Sequence, residues 1–139
     1  MDDVGKLKLR VFNVKFSPNL GDGLLAECLE GALLAQGADA ETRSVDLAAR
    51  TRFGEAMAGR ALAMRILGGL PAPARRRLVM LPLAVKARRT FRPHYAAALE
   101  GADAVVIGGG NLVTDVDLNF PTKLALAMDE VRRRRLPVV

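Results

Sequence analysis

Tryptophan is missing from this chain of 139 residues, tyrosine, cysteine and histidine occur once each, and aromatics supply only 4% of the residues. A core must therefore come from Leu, Ala and Val, the composition of parallel sheets covered by helices. The lone Cys28 excludes an internal disulfide framework and a cysteine-based zinc cluster, and it suits a reducing compartment. No Walker loop, Ser/His/Asp arrangement or metal-ligand spacing can be assembled, so neither a metal nor an organic cofactor is expected. Long apolar runs are also lacking. Arg60, Arg65, Arg75 to Arg77 and Lys86 keep every candidate below the roughly 18 residues of a spanning helix, and the start Met1-Asp2-Asp3-Val4-Gly5-Lys6 is acidic where a secretory signal needs positive charge. A cytoplasmic protein is expected, and 139 residues fit one domain, residues 1–139.

Acidic residues are scarce in one region. Residues 50–100 hold 11 Lys/Arg and 2 Asp/Glu, whereas the remaining sequence holds 10 and 13. The formal charge of +6 thus belongs to the middle of the chain. Its few aromatics, Phe53, Phe91 and Tyr95, offer little for stacking bases, and no nucleic-acid motif is present. Solvated arginines come first, then a surface for anionic lipid head groups at the inner face of a membrane or for an anionic substrate, and last a nucleic acid, so no nucleic-acid partner is expected.

Apolar alternation predicts strands at residues 8–14, 41–45 and 104–107. Between the first two, Ser17 to Gly23 reads as a loop with Asp22 as helix N-cap, followed by a helix that ends at Gly37. Leu24, Leu25, Cys28, Leu29, Ala32 and Leu33 fall on one face of it, predicted to be the buried face, with Cys28 in the core rather than a nucleophile. Residues 46–100 predict several short helices, since Gly54, Gly59, Gly68, Gly69, Pro71, Pro73, Pro82 and Pro93 interrupt any longer one. His94, after Pro93, reads as a surface or capping residue rather than a base. A last helix is predicted over 118–135, with Arg132 to Arg135 offsetting its dipole. Pro137-Val138-Val139 then reads as a strand just begun, which would leave an unfinished sheet edge, so the chain is expected to be the front of a longer protein. Strands alternating with helices predict an α/β fold, a Rossmann-like parallel sheet with helices on both faces, incomplete at the C-terminus.

Two loops follow strands, where open parallel sheets bind ligands. The triple glycine Gly108-Gly109-Gly110, with Asn111, removes side chains so that a ligand can approach backbone N–H groups. It lacks the third glycine of a dinucleotide fingerprint, and a tight turn without a ligand would use the same residues. In the other loop Asn19, Gly21 and Asp22 could bond a ligand's hydroxyls, or tie the loop and cap the helix.

In this order, Asn19-Leu20-Gly21-Asp22-Gly23-Leu24-Leu25 and then Ala102-Asp103-Ala104-Val105-Val106-Ile107-Gly108-Gly109-Gly110-Asn111-Leu112, the chain resembles the N-terminal portion of the polysaccharide pyruvyl transferases. Asp115 matches an acidic residue often seen after their glycines, while residues 46–100 match nothing. The resemblance implies one half of a two-domain, glycosyltransferase-B-like enzyme of cell-envelope exopolysaccharide biosynthesis. Such an enzyme moves a pyruvyl group from phosphoenolpyruvate to the hydroxyls of a saccharide acceptor, free or lipid-linked, as a ketal. By this analogy Asn19, Gly21, Asp22, Gly108, Gly109, Gly110 and Asn111 bind substrate, and Asp22 is the candidate catalytic group. The cations for phosphoenolpyruvate are expected beyond residue 139, so the chain alone is expected to be inactive. Competing readings are a nucleotide-sugar glycosyltransferase-type domain, a dehydrogenase-like domain, and a non-catalytic fragment or partner in polysaccharide assembly. The missing third glycine, and the lack of a suitably placed acidic residue after the second strand, speak against the dehydrogenase.

Overall fold

The computed structural model describes residues 5–54, 69, 71, 84–108, 112 and 119–139. Strand β1 (Leu9–Asn13) lies between β2 (Arg43–Asp46) and β3 (Ala104–Ile107), and both neighbours run parallel to it. Helix α1 (Leu20–Ala35) joins β1 to β2. Residues 84–98 are helical, with a π-helical turn at Ala87–Phe91 running into α2 (Arg92–Ala98), and α3 (Asn119–Arg134) follows β3. Val138 forms an isolated parallel bridge with Val105 on the far side of β3. The predicted parallel α/β sheet is thus the one observed.

Two strand boundaries move for local reasons. The Ser17 N–H donates to the Val14 carbonyl at 2.8 Å, which turns the chain and ends β1 at Asn13. Asp39 accepts from the Glu41 and Thr42 N–H groups and holds residues 39–42 in a turn, delaying β2 to Arg43. Asp46, outside the predicted strand, is its last residue.

The register places Phe12 and Val45 on one side of the sheet, and Val11 and Ser44 on the other. The Phe12 side holds the core, with Phe91, Tyr95 and Leu99 from the 84–98 stretch and its end, Val105 from β3, and Ala127 and Val131 from α3. Tyr95 meets Phe12 edge-on at 5.6 Å between ring centres and stacks against Phe91 at 6.3 Å. Each such pair adds about 0.5–1.5 kcal/mol beyond the area it buries. Its hydroxyl donates to the Leu47 carbonyl at 2.8 Å, and burial, reinforced by the Asp46 charge, raises its pKa. Arg10 reaches the same side: it is 2% exposed and donates to the carbonyls of Ala98 and Glu41 at 2.7 and 2.8 Å. Burial, with Arg43 nearby, lowers its pKa, yet it stays a cation that ties α2 to the strands.

The α1 side departs from the predicted buried face. Leu24 and Leu25 are 64% and 54% exposed, and Cys28 and Ala32 are exposed too. Gly23 and Ala26 are buried instead, with Leu29 and Leu33 half-buried. A Cβ at Gly23 would stand 3.0 Å from the Lys15 carbonyl oxygen and from the Phe53 ring, so the glycine is the contact that lets α1 come so close. Because α1 is apolar around most of its circumference, spacing alone could not select its inward face. The prediction of Cys28 as a core residue fails for the same reason. No helix among the described residues is long and apolar enough to cross a membrane.

Candidate functional site

Parallel pairing of β1 with β3 sends both candidate loops off the carboxyl edge of the sheet. The Gly108 N–H continues the β1–β3 ladder by donating to the Phe12 carbonyl at 3.2 Å. A Cβ on Gly108 would lie 3.3 Å from Leu29 Cδ2, so this glycine backs onto α1 beyond the strand end. Gly109, Gly110, Asn111 and Asp115 lie outside the described residues.

The first loop corrects one assignment. Asn19, not Asp22, is the N-cap of α1: its backbone is extended and its Oδ1 accepts from the Gly21 N–H at 3.1 Å. Asp22 lies in the first turn, with its N–H bonded to the Asn19 carbonyl at 3.1 Å. Among the described residues its carboxylate has no hydrogen-bond or ion-pair partner. It is half-buried at the positive end of a sixteen-residue helix, where a negative charge is favoured. Asn19 therefore carries the capping task, and the Asp22 carboxylate takes no part in it. Gly21 contributes its N–H to the cap, and a Cβ there would stand 3.3 Å from Asn19 Oδ1.

Beneath these loops lies a polar network that the sequence did not disclose. Asn13 Nδ2 donates to Ser44 Oγ at 2.7 Å, and Asn13 Oδ1 accepts from the Lys15 N–H at 3.1 Å. Lys15 pairs with Glu30 of α1 at 2.9 Å, and the other Glu30 oxygen accepts from the Ser44 N–H at 2.5 Å. Burial pulls the Glu30 carboxyl upward, but the hydrogen bonds from Ser44 and Lys15 outweigh it and hold the pKa below the ordinary value. An asparagine closing an apolar strand was the one available signal, since the side-chain partners Ser44 and Glu30 lie 31 residues from Asn13 and 15 from Lys15.

Asp46 corrects another reading. An acidic residue does close the second strand, where a dinucleotide-binding fold would place its ribose acceptor. Its side chain is fully buried, accepting from Arg50 Nε and Nη2 at 3.0 Å each, from the Phe16 N–H at 3.0 Å and from the Ala48 N–H at 2.8 Å. With its acceptor positions taken, Asp46 pins the β1 and β2 loops together instead of meeting a ribose. The four-residue spacing to Arg50 was legible, though not its burial.

His94 is no cap: it lies within α2, half-buried at the lip of a cleft. Its Nε2 lies 3.1 Å from the Asp46 carbonyl and its ring packs edge-on to Tyr95. Burial lowers its pKa, against the opposing pull of Asp46, so the neutral ring braces the outer edge of β2. A shallow cleft of about 370 Å³ opens there, lined in part by Phe16, Arg43, Arg50 and His94. It lies along β2 and not between the two loops, and Arg50 is already spent on Asp46. Among the described residues no group of three His, Cys, Asp or Glu gathers where a metal could sit. No protein-family model matches the chain, and neither a curated protein nor a solved structure matches it.

Proposed function

We propose that the chain forms one wall of the cleft of a pyruvyl ketal transferase, with the Asn19–Asp22 loop and the Gly108 turn facing a saccharide acceptor. The observation that carries this reading is the parallel pairing of β1 with β3, because it sends two motifs 89 residues apart in the sequence off one sheet edge. The Asp22 carboxylate, without a partner among the described residues, supports it. Ketal formation requires two acceptor hydroxyls to bond to C2 of phosphoenolpyruvate while inorganic phosphate leaves. One hydroxyl proton finishes on the new methyl group and the other on the phosphate. A carboxylate held beside an acceptor hydroxyl can take the first proton as the C–O bond forms. Backbone N–H groups of a glycine turn suit the anionic parts of the donor or acceptor. Cations for the trianionic donor are assigned to a second domain, so residues 1–139 bind without turning over.

The test is incubation of the full protein with phosphoenolpyruvate and candidate saccharides, followed by mass spectrometry for the ketal and an assay for phosphate. Ketal formation that Asp22→Asn lowers by about 10²–10⁴, with stability lowered by no more than about 1 kcal/mol, is the expected result. Transfer from a nucleotide sugar with no ketal would point to a glycosyltransferase-type domain. Turnover of phosphoenolpyruvate by residues 1–139 alone would overturn the division of labour.

A further inference from the structure

The sheet separates two helical layers of opposite charge. α1 contains Asp22, Glu27 and Glu30 and not one Lys or Arg. On the other side, residues 84–98 and α3 together contain eight Lys/Arg and two acidic residues, Asp129 and Glu130. The sequence has no carboxylate at all between Glu55 and Glu100. Arg134 Nη2 donates to the Ala96 carbonyl at 2.9 Å and joins the two helices into one layer.

Part of this charge has an internal use. Arg132 to Arg134 occupy the last turn of α3, where cations favour the helix dipole, and Arg133 and Arg134 also pair with Glu130. Lys86, Arg88 and Arg89, by contrast, have no ion-pair or hydrogen-bond partner among the described residues. All three are exposed, as is Val85 at 50%, while Ala87 and Phe91 of the π-helical turn pack against the core. The turn thus anchors the segment from beneath and presents its cations outward.

We propose that this face, centred on Val85, Lys86, Arg88 and Arg89, docks the protein on an anionic lipid bilayer. Charge complementarity selects the partner: a surface of clustered cations around an exposed valine matches head groups above an apolar boundary. A nucleic acid fits less well. Of the aromatics of this layer, Phe91 and Tyr95 are buried and Phe120 packs half-buried against the core with Lys123 over its ring, while the exposed Phe53 packs against Gly23 of α1 on the opposite side, so the basic face offers little on which a base can stack.

Flotation of the 139-residue chain with vesicles tests the proposal. Vesicles of phosphatidylcholine mixed with phosphatidylglycerol should carry the protein, phosphatidylcholine alone should not, and high salt should release it. The doubly substituted Arg88→Gln, Arg89→Gln chain should bind on the order of 20-fold more weakly, at about fivefold per cation removed. The doubly substituted Arg88→Lys, Arg89→Lys chain should bind as the parent does, since a bilayer reads charge and not a guanidinium fork. Glu27→Gln, on the exposed side of α1, should change nothing, and circular dichroism should show all variants folded. Equal binding to both vesicle types, undiminished binding by the glutamine variant, or tighter binding to single-stranded RNA than to anionic vesicles at the same salt would each overturn the proposal.

Discussion

On one side of the sheet α2 and α3 bury Tyr95, Leu99, Ala127 and Val131 against Phe12, Val45 and Val105, whereas on the other α1 comes in on Gly23 and Ala26 and is tied through Glu30. The first side is a dispersion-rich core in which the Tyr95 hydroxyl and the Arg10 guanidinium are buried with their partners and Lys123 lies over the Phe91 and Phe120 rings. The second is a close backbone approach fastened by a charged network, with leucines left on the outside. The strands explain part of the difference. Val11 and Asn13 of β1 and Ser44 of β2 lie towards α1, so two of these three positions there are polar. A helix over polar strand positions gains little by inserting leucine, while Glu30 can cap the outward Ser44 N–H. It is also on this second side that the candidate ligand loops sit.

The contrast is broken most directly at Tyr95. Tyr95→Ala removes the ring between Phe12 and Phe91 and should cost about 3–5 kcal/mol in denaturant unfolding. Tyr95→Phe keeps the packing but leaves the Leu47 carbonyl unpaired, for about 1–3 kcal/mol. A tyrosine-to-alanine cost below that of the phenylalanine variant would show that the core does not lie where it is placed here.

Next comes Glu30, the fastening on the α1 side. Glu30→Ala strands the Lys15 ammonium and the Ser44 N–H and should cost about 1–3 kcal/mol. The acid limb separates the two layers. Since the Glu30 pKa is depressed, its contribution is complete above the ordinary value of 4.5 and is lost as pH falls through the lower folded value. His94 behaves differently: its depressed pKa gives stability that is present above 6.5 and is lost as pH falls towards the folded value. His94→Gln should therefore flatten the loss of stability that begins as pH falls below 6.5 while leaving the limb below 4.5, and Glu30→Gln should do the reverse. Identical acid profiles for the two variants would contradict these assignments.

At the mouth of the site the effects are smaller. Asn19→Ala removes the cap of α1 and should cost about 0.5–2 kcal/mol. Asp22→Asn forfeits only a favourable charge near the helix start, about 0.3–1 kcal/mol. A larger loss at Asp22 than at Asn19 would restore Asp22 as the cap.

The parallel sheet was legible because its strands carry continuous or alternating apolar residues bounded by turn formers, and Gly37 lies just beyond the end of α1 with φ +96°, as its position after the helix requires. The edge on which the loops sit was legible too, since it follows from parallel strands. What was hidden depends on distant partners. Arg10 looked like an ordinary strand residue until Ala98 and Glu41 supplied carbonyls. Asp46 was taken as lying past the strand, and its saturation depends on Phe16 and Arg50. The inward face of α1 depends on the Lys15 carbonyl and the Phe53 ring, neither of which a helical wheel contains.

The smallest expected effect is also the sharpest check on the comparison. Leu24 and Leu25, which sequence spacing assigned to the core, stand 64% and 54% exposed on α1. Replacing either with Gln removes no well-packed contact and exchanges one good helix former for another, so the stability change should stay within about 0.5 kcal/mol. Ala26→Leu, at the next residue but on the inward face, should instead cost about 1–3 kcal/mol, because it drives a larger side chain into a fully buried position against the sheet. If the ranking were inverted, with Leu24→Gln costing several kcal/mol and Ala26→Leu little, α1 would be rotated on its axis. The Gly23 contact with Lys15 and the placing of Asp22 at the loop would then both be lost, and with them the carboxylate on which the proposed acceptor chemistry rests.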